Sequence, residues 1–319
     1  MNNLSQWPQR QLSFIINPTA GHPWSSLRRR VHRTLRQIEP SEAEVLWTKR
    51  PGQARAWAQA RAQEPERVVV AVGGDGTAHD VAAGLMGGQA KLGVLPLGSG
   101  NDFAAMLDHP PNIAHGSQQD WMAFYQTAPA SLVDVGQVTW RTRDGSTDSG
   151  HFINSMGLGL EGAVARTVQS LKRMKGVTRY AAAALWQIIQ YRSLPMMLNS
   201  PCGTVAETKY TPKLIVAVGN GRRAGGGFVL QPNARIDDGR LDVCWATALS
   251  RWQQLRILPA VFRGTHGRFE GVHQAQVEAL TIRCDPETSV HLDGEWVTSS
   301  AQAVDVRVCP SALKVVGRG

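Results

Sequence analysis

Glycines that let a backbone approach a phosphate, and two short acidic turns, are the residues of this chain whose types and spacing could do chemistry together. The glycines are Gly73-Gly74-Asp75-Gly76-Thr77, which end the apolar run Val68–Val72. With no Cβ in the way, the chain can turn sharply there and come close to a ligand. Its amides can cradle phosphate, and a helix starting near Ala78 would add its positive end. Asp75 brings a carboxylate and Thr77 a hydroxyl to the same turn. This pattern points to a phosphorylated ligand such as a nucleotide, although a tight strand-to-helix connection uses the same glycines. The acidic turns are Asp237-Asp238-Gly239 and Leu292-Asp293-Gly294-Glu295. An Asp and a Glu two apart on an extended segment face one side, and across a turn they can converge on one metal or hydroxyl. Plain solvated turns have the same composition.

The elements that must position these residues fall into two patterns. Leu12–Ile16, Ala43–Trp47, Val68–Val72 and Leu92–Pro96 read as strands. Between them, helices are predicted from an N-cap at Ser25 or Ser26 through Arg28–Ile38, over Gly52–Gln63 and over Asp80–Met86. Strands alternating with helices predict a parallel sheet, with ligands beyond the carboxyl ends of its strands. The turns Asn17–Gly21, Gly73–Thr77 and Gly98–Asp102 all lie at such ends. From Asp134 onward extended segments dominate: Leu132–Trp140, His151–Asn154, Lys213–Val218, Leu241–Ala246, Val277–Cys284, Ser289–Leu292 and Val304–Val308. These predict an antiparallel β-sandwich interrupted by one helical insert over about 162–191. The expected domains are residues 1–133, completed by 304–319, and residues 134–303.

The chain has 319 residues and a net charge of +9, which suits an acidic partner: nucleic acid, an anionic lipid surface or a phosphorylated substrate. No basic-aromatic recognition motif supports nucleic acid, so that class is set aside. A hydrophobic fraction of 42% with 18% charged residues fits a folded globular enzyme and not a disordered chain. Cys202, Cys244, Cys284 and Cys309 form no CxxC pair, which argues against zinc and for a reducing compartment. The N-terminus lacks a secretory pattern. The most apolar stretch, Tyr180–Leu198, is broken by Gln187, Gln190, Arg192 and Pro195 and makes a poor membrane span. The expected location is cytoplasmic, with peripheral contact to an anionic membrane surface. Lys172, Arg173, Lys175 and Arg179 beside the apolar run Tyr180–Ile189 suit anionic headgroups, with Trp186 as a lipid contact. A core-packed helix with a solvated basic start fits the same residues. Gly157-Leu158-Gly159-Leu160-Glu161-Gly162 matches GxGxxG, but no parallel βαβ unit surrounds it. Oligomeric state, including a homodimer, is left open.

Six motifs follow one another in a recognisable order: Asn17-Pro18-Thr19-Ala20-Gly21, Gly73–Thr77, Leu97-Gly98-Ser99-Gly100-Asn101-Asp102-Phe103, Asn220-Gly221 with Gly225-Gly226-Gly227, Asp237–Asp242, and Leu292–Glu295. Together they resemble the diacylglycerol kinase catalytic family, especially its bacterial soluble lipid kinases, with NAD kinases and sphingosine kinases as more distant relatives. The resemblance implies a Rossmann-like α/β nucleotide-binding domain joined to a β-sandwich, with the site in the cleft between them. It implies transfer of phosphate from ATP to a lipid hydroxyl, with Mg²⁺ as the metal. The nucleotide site it implies comprises Asn17, Pro18, Thr19, Ala20, Gly21, Thr48, Gly73, Gly74, Asp75, Gly76, Thr77, Ala78, His79, Ser99, Asn101 and Asp102. The proton acceptor is placed on Glu295, with Asp293 as its close partner and possible rival, and Asp75 helps position phosphates or their metal. A second Mg²⁺, distinct from that on ATP, is assigned to the Asp238 carboxylate and the backbone carbonyls of Arg235 and Arg240; oxygen donors suit a hard cation. Arg222 and Arg223 are assigned to the substrate cleft, and Glu161 to its mouth. This chain departs from the family pattern at Ser99, where threonine is usual, at His79-Asp80 in place of Asn-Glu, and at Leu158 and Glu161 in place of Phe and Asp. The rival readings are a soluble-acceptor kinase of NAD kinase type and a non-catalytic nucleotide- or lipid-binding protein.

Overall fold

Strands that end at glycines organise the first part of the chain. The structure, a computed structural model, describes residues 11–22, 25–110, 112–171 and 177–317. It divides into two units: one takes the chain up to Val133 and again from Ala312, the other is Asp134–Ser311. The first unit alternates β1 (Gln11–Ile16), α1 (Ser26–Leu35), β2 (Glu44–Trp47), α2 (Gln53–Gln59), β3 (Arg67–Gly73), α3 (Asp75–Leu85), β4 (Lys91–Pro96) and α4 (Gln118–Thr127). Strand β1 pairs in parallel with β2 and β3, and β3 with β4. Lys314 and Val315, near the end of the chain, add a further parallel partner to β4. Phe14, Ile15, Ile16, Val70 and Val72 are wholly buried, as the strands of a helix-covered parallel sheet must be.

Two helices of this unit differ from expectation. Helix α3 starts at Asp75, not near Ala78, because Gly74 alone carries the chain out of the strand and the glycine turn is itself the first helical turn. Helix α4 lies in a stretch for which the sequence pattern predicts no helix. Ser117 and Asp120 cap it reciprocally. It buries Trp121 and Tyr125, whose polar tips donate to the Ile113 and Val94 carbonyls at 2.8 Å. Helix α1 takes Ser25 as its N-cap.

The second unit contains β5 (Ala130–Thr142), which enters from the first, then β6 (Thr147–Phe152), β7 (Ser155–Gly159), α5 (Leu160–Ser170), α6 (Val177–Gln190), β8 (Leu194–Asn199), β9 (Thr211–Gly219), β10 (Leu241–Thr247), α7 (Arg251–Phe262), β11 (Val272–Val277), β12 (Ala279–Leu292) and β13 (Glu295–Val316). The strands run antiparallel in the order β11-β10-β9-β7-β12-β13, with β5 beside β13 and β6, and β8 beside β9 and β12. Phe152, Met156, Val216, Val218, Leu241 and Val290 form part of its core. This is the antiparallel β-rich domain read from the sequence.

The helical insert is two helices, α5 and α6. Lys172, Arg173 and Lys175 lie outside the described residues. Helix α7 corrects the expectation of a single helical region: Ser250 and Gln253 form a reciprocal cap, and Pro259 is tolerated inside the helix. The GxGxxG stretch joins β7, antiparallel to β9 and β12, to α5, so no dinucleotide-type βαβ unit surrounds it. Among the described residues no helix is long and apolar enough to cross a membrane.

Candidate functional site

In the first unit, the three glycine turns are held backbone against backbone. A Cβ on Gly98 would lie 2.5 Å from the Gly74 Cα, and one on Gly21, where φ is +75°, would overlap the Leu97 carbonyl. The first turn therefore abuts the third, and the second abuts the third, a closeness that only glycine allows. Leu97 N–H donates to the Gly73 carbonyl at 2.7 Å. Asp75, in the first turn of α3, accepts from the amides of Asn101 (2.8 Å) and Phe103 (3.3 Å). Asn101, at φ 55°, closes its own loop by accepting from Gly98 N–H and donating to the Gly98 carbonyl, both at 2.9 Å. Asn17 caps Thr19, accepting from its amide and hydroxyl. The Thr48 hydroxyl donates to the Ile16 carbonyl. Thr77 is buried with its hydroxyl over Gly73. Pro18, Ala20, Gly76, Ala78 and His79 lie in these turns or the first turns of α3, Ser99 is exposed and Asp102 is buried. Helix α3 begins within this glycine-lined bed, at Gly74 and Asp75, and a helix N-terminus in such a bed suits anions.

In the second unit the acidic turns are built in opposite ways. Asp293 (φ 48°) and Gly294 (φ 84°) form a two-residue hairpin turn between paired Leu292 and Glu295. Positive φ at both positions is what a type I′ turn demands of an Asp-Gly pair. Both Asp293 oxygens are engaged: Oδ2 accepts from Ile153 N–H (2.9 Å), and Oδ1 from Asn154 (3.0 Å) and Ser155 (2.9 Å). Glu295, the first residue of β13, is exposed. His291 lies beneath the turn and accepts from Gly294 N–H through Nδ1 at 3.1 Å, while its Nε2 lies 3.3 Å from Glu161 Oε1. Glu161 thus sits under the hairpin with its side chain 15% exposed, close enough to Cys244 to help burial push that thiol up to about 12.

The turn at 237–239 is held from outside. Buried Asp134 accepts from Gly239 N–H (2.7 Å) and Ser311 N–H (2.8 Å). Asp238 accepts from Arg240 N–H, and Asp237 pairs with Arg235. Burial raises the Asp242 pKa above the usual aspartate range; a hydrogen bond from Gln276 opposes this and the charge of Asp238 adds to it.

Asn154 and Asp134, which belong to none of the six motifs, connect these turns together with Asn220 of the Asn220-Gly221 motif. Asn154, held by Asp293, accepts through its carbonyl from Asn220 and Gly221 N–H (both 2.8 Å) and donates from Nδ2 to the Arg223 carbonyl. Asn220 donates to the Asp134 and Ile153 carbonyls. Arg222 is exposed, with Nε donating to the Ala234 carbonyl. One hydrogen-bonded chain therefore runs from the 293–295 turn through Asn154 and Asn220 to Asp134 and the 237–239 turn. A charged residue in the buried run Val133-Asp134-Val135 was the one available sequence signal. Among the described residues no group of three or more His, Cys, Asp or Glu gathers around a metal position. The Asp238 carboxylate with neighbouring backbone carbonyls is an all-oxygen set compatible with a hard cation.

Residues 11–135 match the model of the diacylglycerol kinase catalytic domain, and residues 154–317 that of the YegS C-terminal NAD kinase beta sandwich-like domain. The chain therefore belongs to the diacylglycerol kinase catalytic family, a family of lipid kinases that use ATP. It is 35% identical over 248 residues to a Pseudomonas putida protein named "Probable lipid kinase YegS-like", covering 77% of this chain and 75% of that one. It is 25% identical over 318 residues to the diacylglycerol kinase of Mycobacterium tuberculosis, covering 96% and 94%. A crystal structure of a diacylglycerol kinase from Bacillus anthracis shares the fold, with a TM-score of 0.66 at 20% identity over 98% of each chain.

Proposed function

We propose that this protein transfers the γ-phosphate of ATP to a hydroxyl of a diacylglycerol-like lipid at a membrane surface. The glycine turns of the first unit hold the nucleotide: their backbones leave room for phosphate oxygens, and the α3 N-terminus favours the negative charge. Asp75 is a positioning residue in this reading, because its carboxylate fixes the neighbouring loop. Glu295 accepts the proton of the lipid hydroxyl as its oxygen bonds to the γ-phosphorus and the bond to the ADP oxygen breaks. The proton then leaves Glu295 for solvent. Asp238, with the Arg235 and Arg240 carbonyls, would hold Mg²⁺, whose charge favours a compact acidic turn when bound. Arg222 and Arg223 lie on the loop that faces the acceptor.

The single observation carrying this reading is the division of labour in the 293–295 hairpin. Asp293 is committed to three amides that clamp the turn, and Glu295, exposed at the start of β13 beside it, is the carboxylate this reading assigns to the lipid hydroxyl. The test is incubation of the protein with labelled ATP, Mg²⁺ and a total bacterial lipid extract, followed by identification of the labelled species. A labelled lipid phosphate is expected. Label on NAD in a parallel incubation, with none on lipid, would replace this reading by a soluble-acceptor kinase.

A further inference from the structure

Six of the eight large hydrophobic side chains exposed among the described residues lie on just two helices: Leu185, Trp186 and Ile189 on α6, and Trp252, Leu255 and Phe262 on α7. The two helices touch each other. Within α6 the spacing of three and four residues, and within α7 of three and seven, puts each set on one helical face. Exposed Pro259 extends the α7 stripe. Trp252 is 80% exposed, Ile189 71% and Trp186 55%, whereas the remaining pair, Leu132 and Tyr210, stand apart in the sequence. A concentration of apolar surface on this scale marks an interaction face.

The charges say what it meets. Neither helix contains an Asp or Glu, and Arg251, Arg256 and Arg263 interleave with the α7 stripe or directly follow it, all exposed. Tryptophan with arginine, over apolar side chains, is the composition of a helix lying in the headgroup layer. A second copy meeting this face about a two-fold axis would bring its own arginines against them. We propose that α6 and α7 together form the face by which this protein docks on an anionic bilayer. The proposal rests on the lipid-kinase reading for its purpose.

The face connects to the acceptor loop. Phe262 packs on Phe228 with ring centroids 4.4 Å apart, and Val229 N–H donates to the Val261 carbonyl. Phe228 closes the loop Ala224–Phe228 that follows Arg222 and Arg223, through paired bonds with Ala224. Seating α7 in the headgroups therefore fixes this loop at the depth where a lipid hydroxyl emerges.

The test is co-sedimentation of the full chain with phosphatidylglycerol/phosphatidylcholine vesicles and with phosphatidylcholine vesicles alone. The variants are Trp252→Ser/Leu255→Ser, Arg251→Glu/Arg256→Glu, and Tyr210→Ser as an exposed-aromatic control. Wild type and Tyr210→Ser should bind the anionic vesicles, and each double variant should bind about tenfold more weakly or worse. Equal binding by the double variants overturns the proposal. So does a wild type that ignores vesicles but whose dimer is dissociated by Trp252→Ser/Leu255→Ser. Phosphorylation of a dispersed short-chain diacylglycerol, assayed alongside, keeps the two readings apart. Vesicle binding without any phosphorylated acceptor sinks the kinase reading alone; activity retained with vesicle binding indifferent to the variants sinks the docking face alone.

Discussion

The glycine turns of the first unit and the acidic turns of the second show how differently residue types reveal their roles. A missing side chain has one physical meaning. Gly74 and Gly98 touch through their backbones, and Gly21 crowds the Leu97 carbonyl, so each glycine marks a close approach. A carboxylate has several meanings. Asp293 builds its own turn, Asp134 builds the turn that carries Asp238, and Glu295 stands exposed at a strand end. The same side-chain chemistry is spent inward in two of these cases and presented outward in the third.

Effects on folding stability should follow that contrast. Asp293→Asn leaves one acceptor oxygen for three amides and turns an NH₂ toward one of them. The second unit should lose about 4 kcal/mol in denaturant unfolding, since each charge-assisted bond is worth roughly 1.5–3 kcal/mol. A loss below about 1 kcal/mol would mean the carboxylate is not the clamp. Gly98→Ala drives a methyl to 2.5 Å from the Gly74 Cα. It should cost about 3 kcal/mol, the upper range for overpacking, and weaken ATP binding in calorimetry at the same time. Unchanged stability and affinity would separate the turns from each other.

A smaller effect sharpens the first-unit side of the comparison. His109 packs against Gly317 and edge-on to Phe124, and burial lowers its pKa from 6.5 to about 4. The unfolded chain then takes up a proton near pH 6.5 that the folded state refuses until about 4. Stability is complete above the unfolded value and falls as the pH drops through that window, by about 3 kcal/mol. His109→Phe should flatten this slope in melts between pH 7 and 4. An identical slope in the variant would assign the pH dependence to another group.

The legibility of the fold followed the same physics. Parallel strands were readable because apolar runs stop at glycines, and the antiparallel half because short extended segments alternate with turns. Helix α3 was started late because Gly-Asp-Gly reads as a turn, while the strand needs only Gly74 to leave the sheet. Helices α4 and α7 were overlooked although Ser117/Asp120 and Ser250/Gln253 are capping signals. In α7 an exposed apolar stripe and Pro259 disguised the helical pattern. Asn154, Asp134 and His291 could not be found from spacing, because their roles are contacts with residues far along the chain. Asp293, for example, reaches Asn154 across 139 positions.

The most direct measurement is the turnover and ATP affinity of Glu295→Gln, taken together on the intact protein. The account predicts a fall in turnover of about a thousandfold, within the span expected for losing a general base, with ATP affinity and melting temperature near those of wild type. Turnover within about tenfold of wild type would show that the proton leaves the lipid hydroxyl by another route.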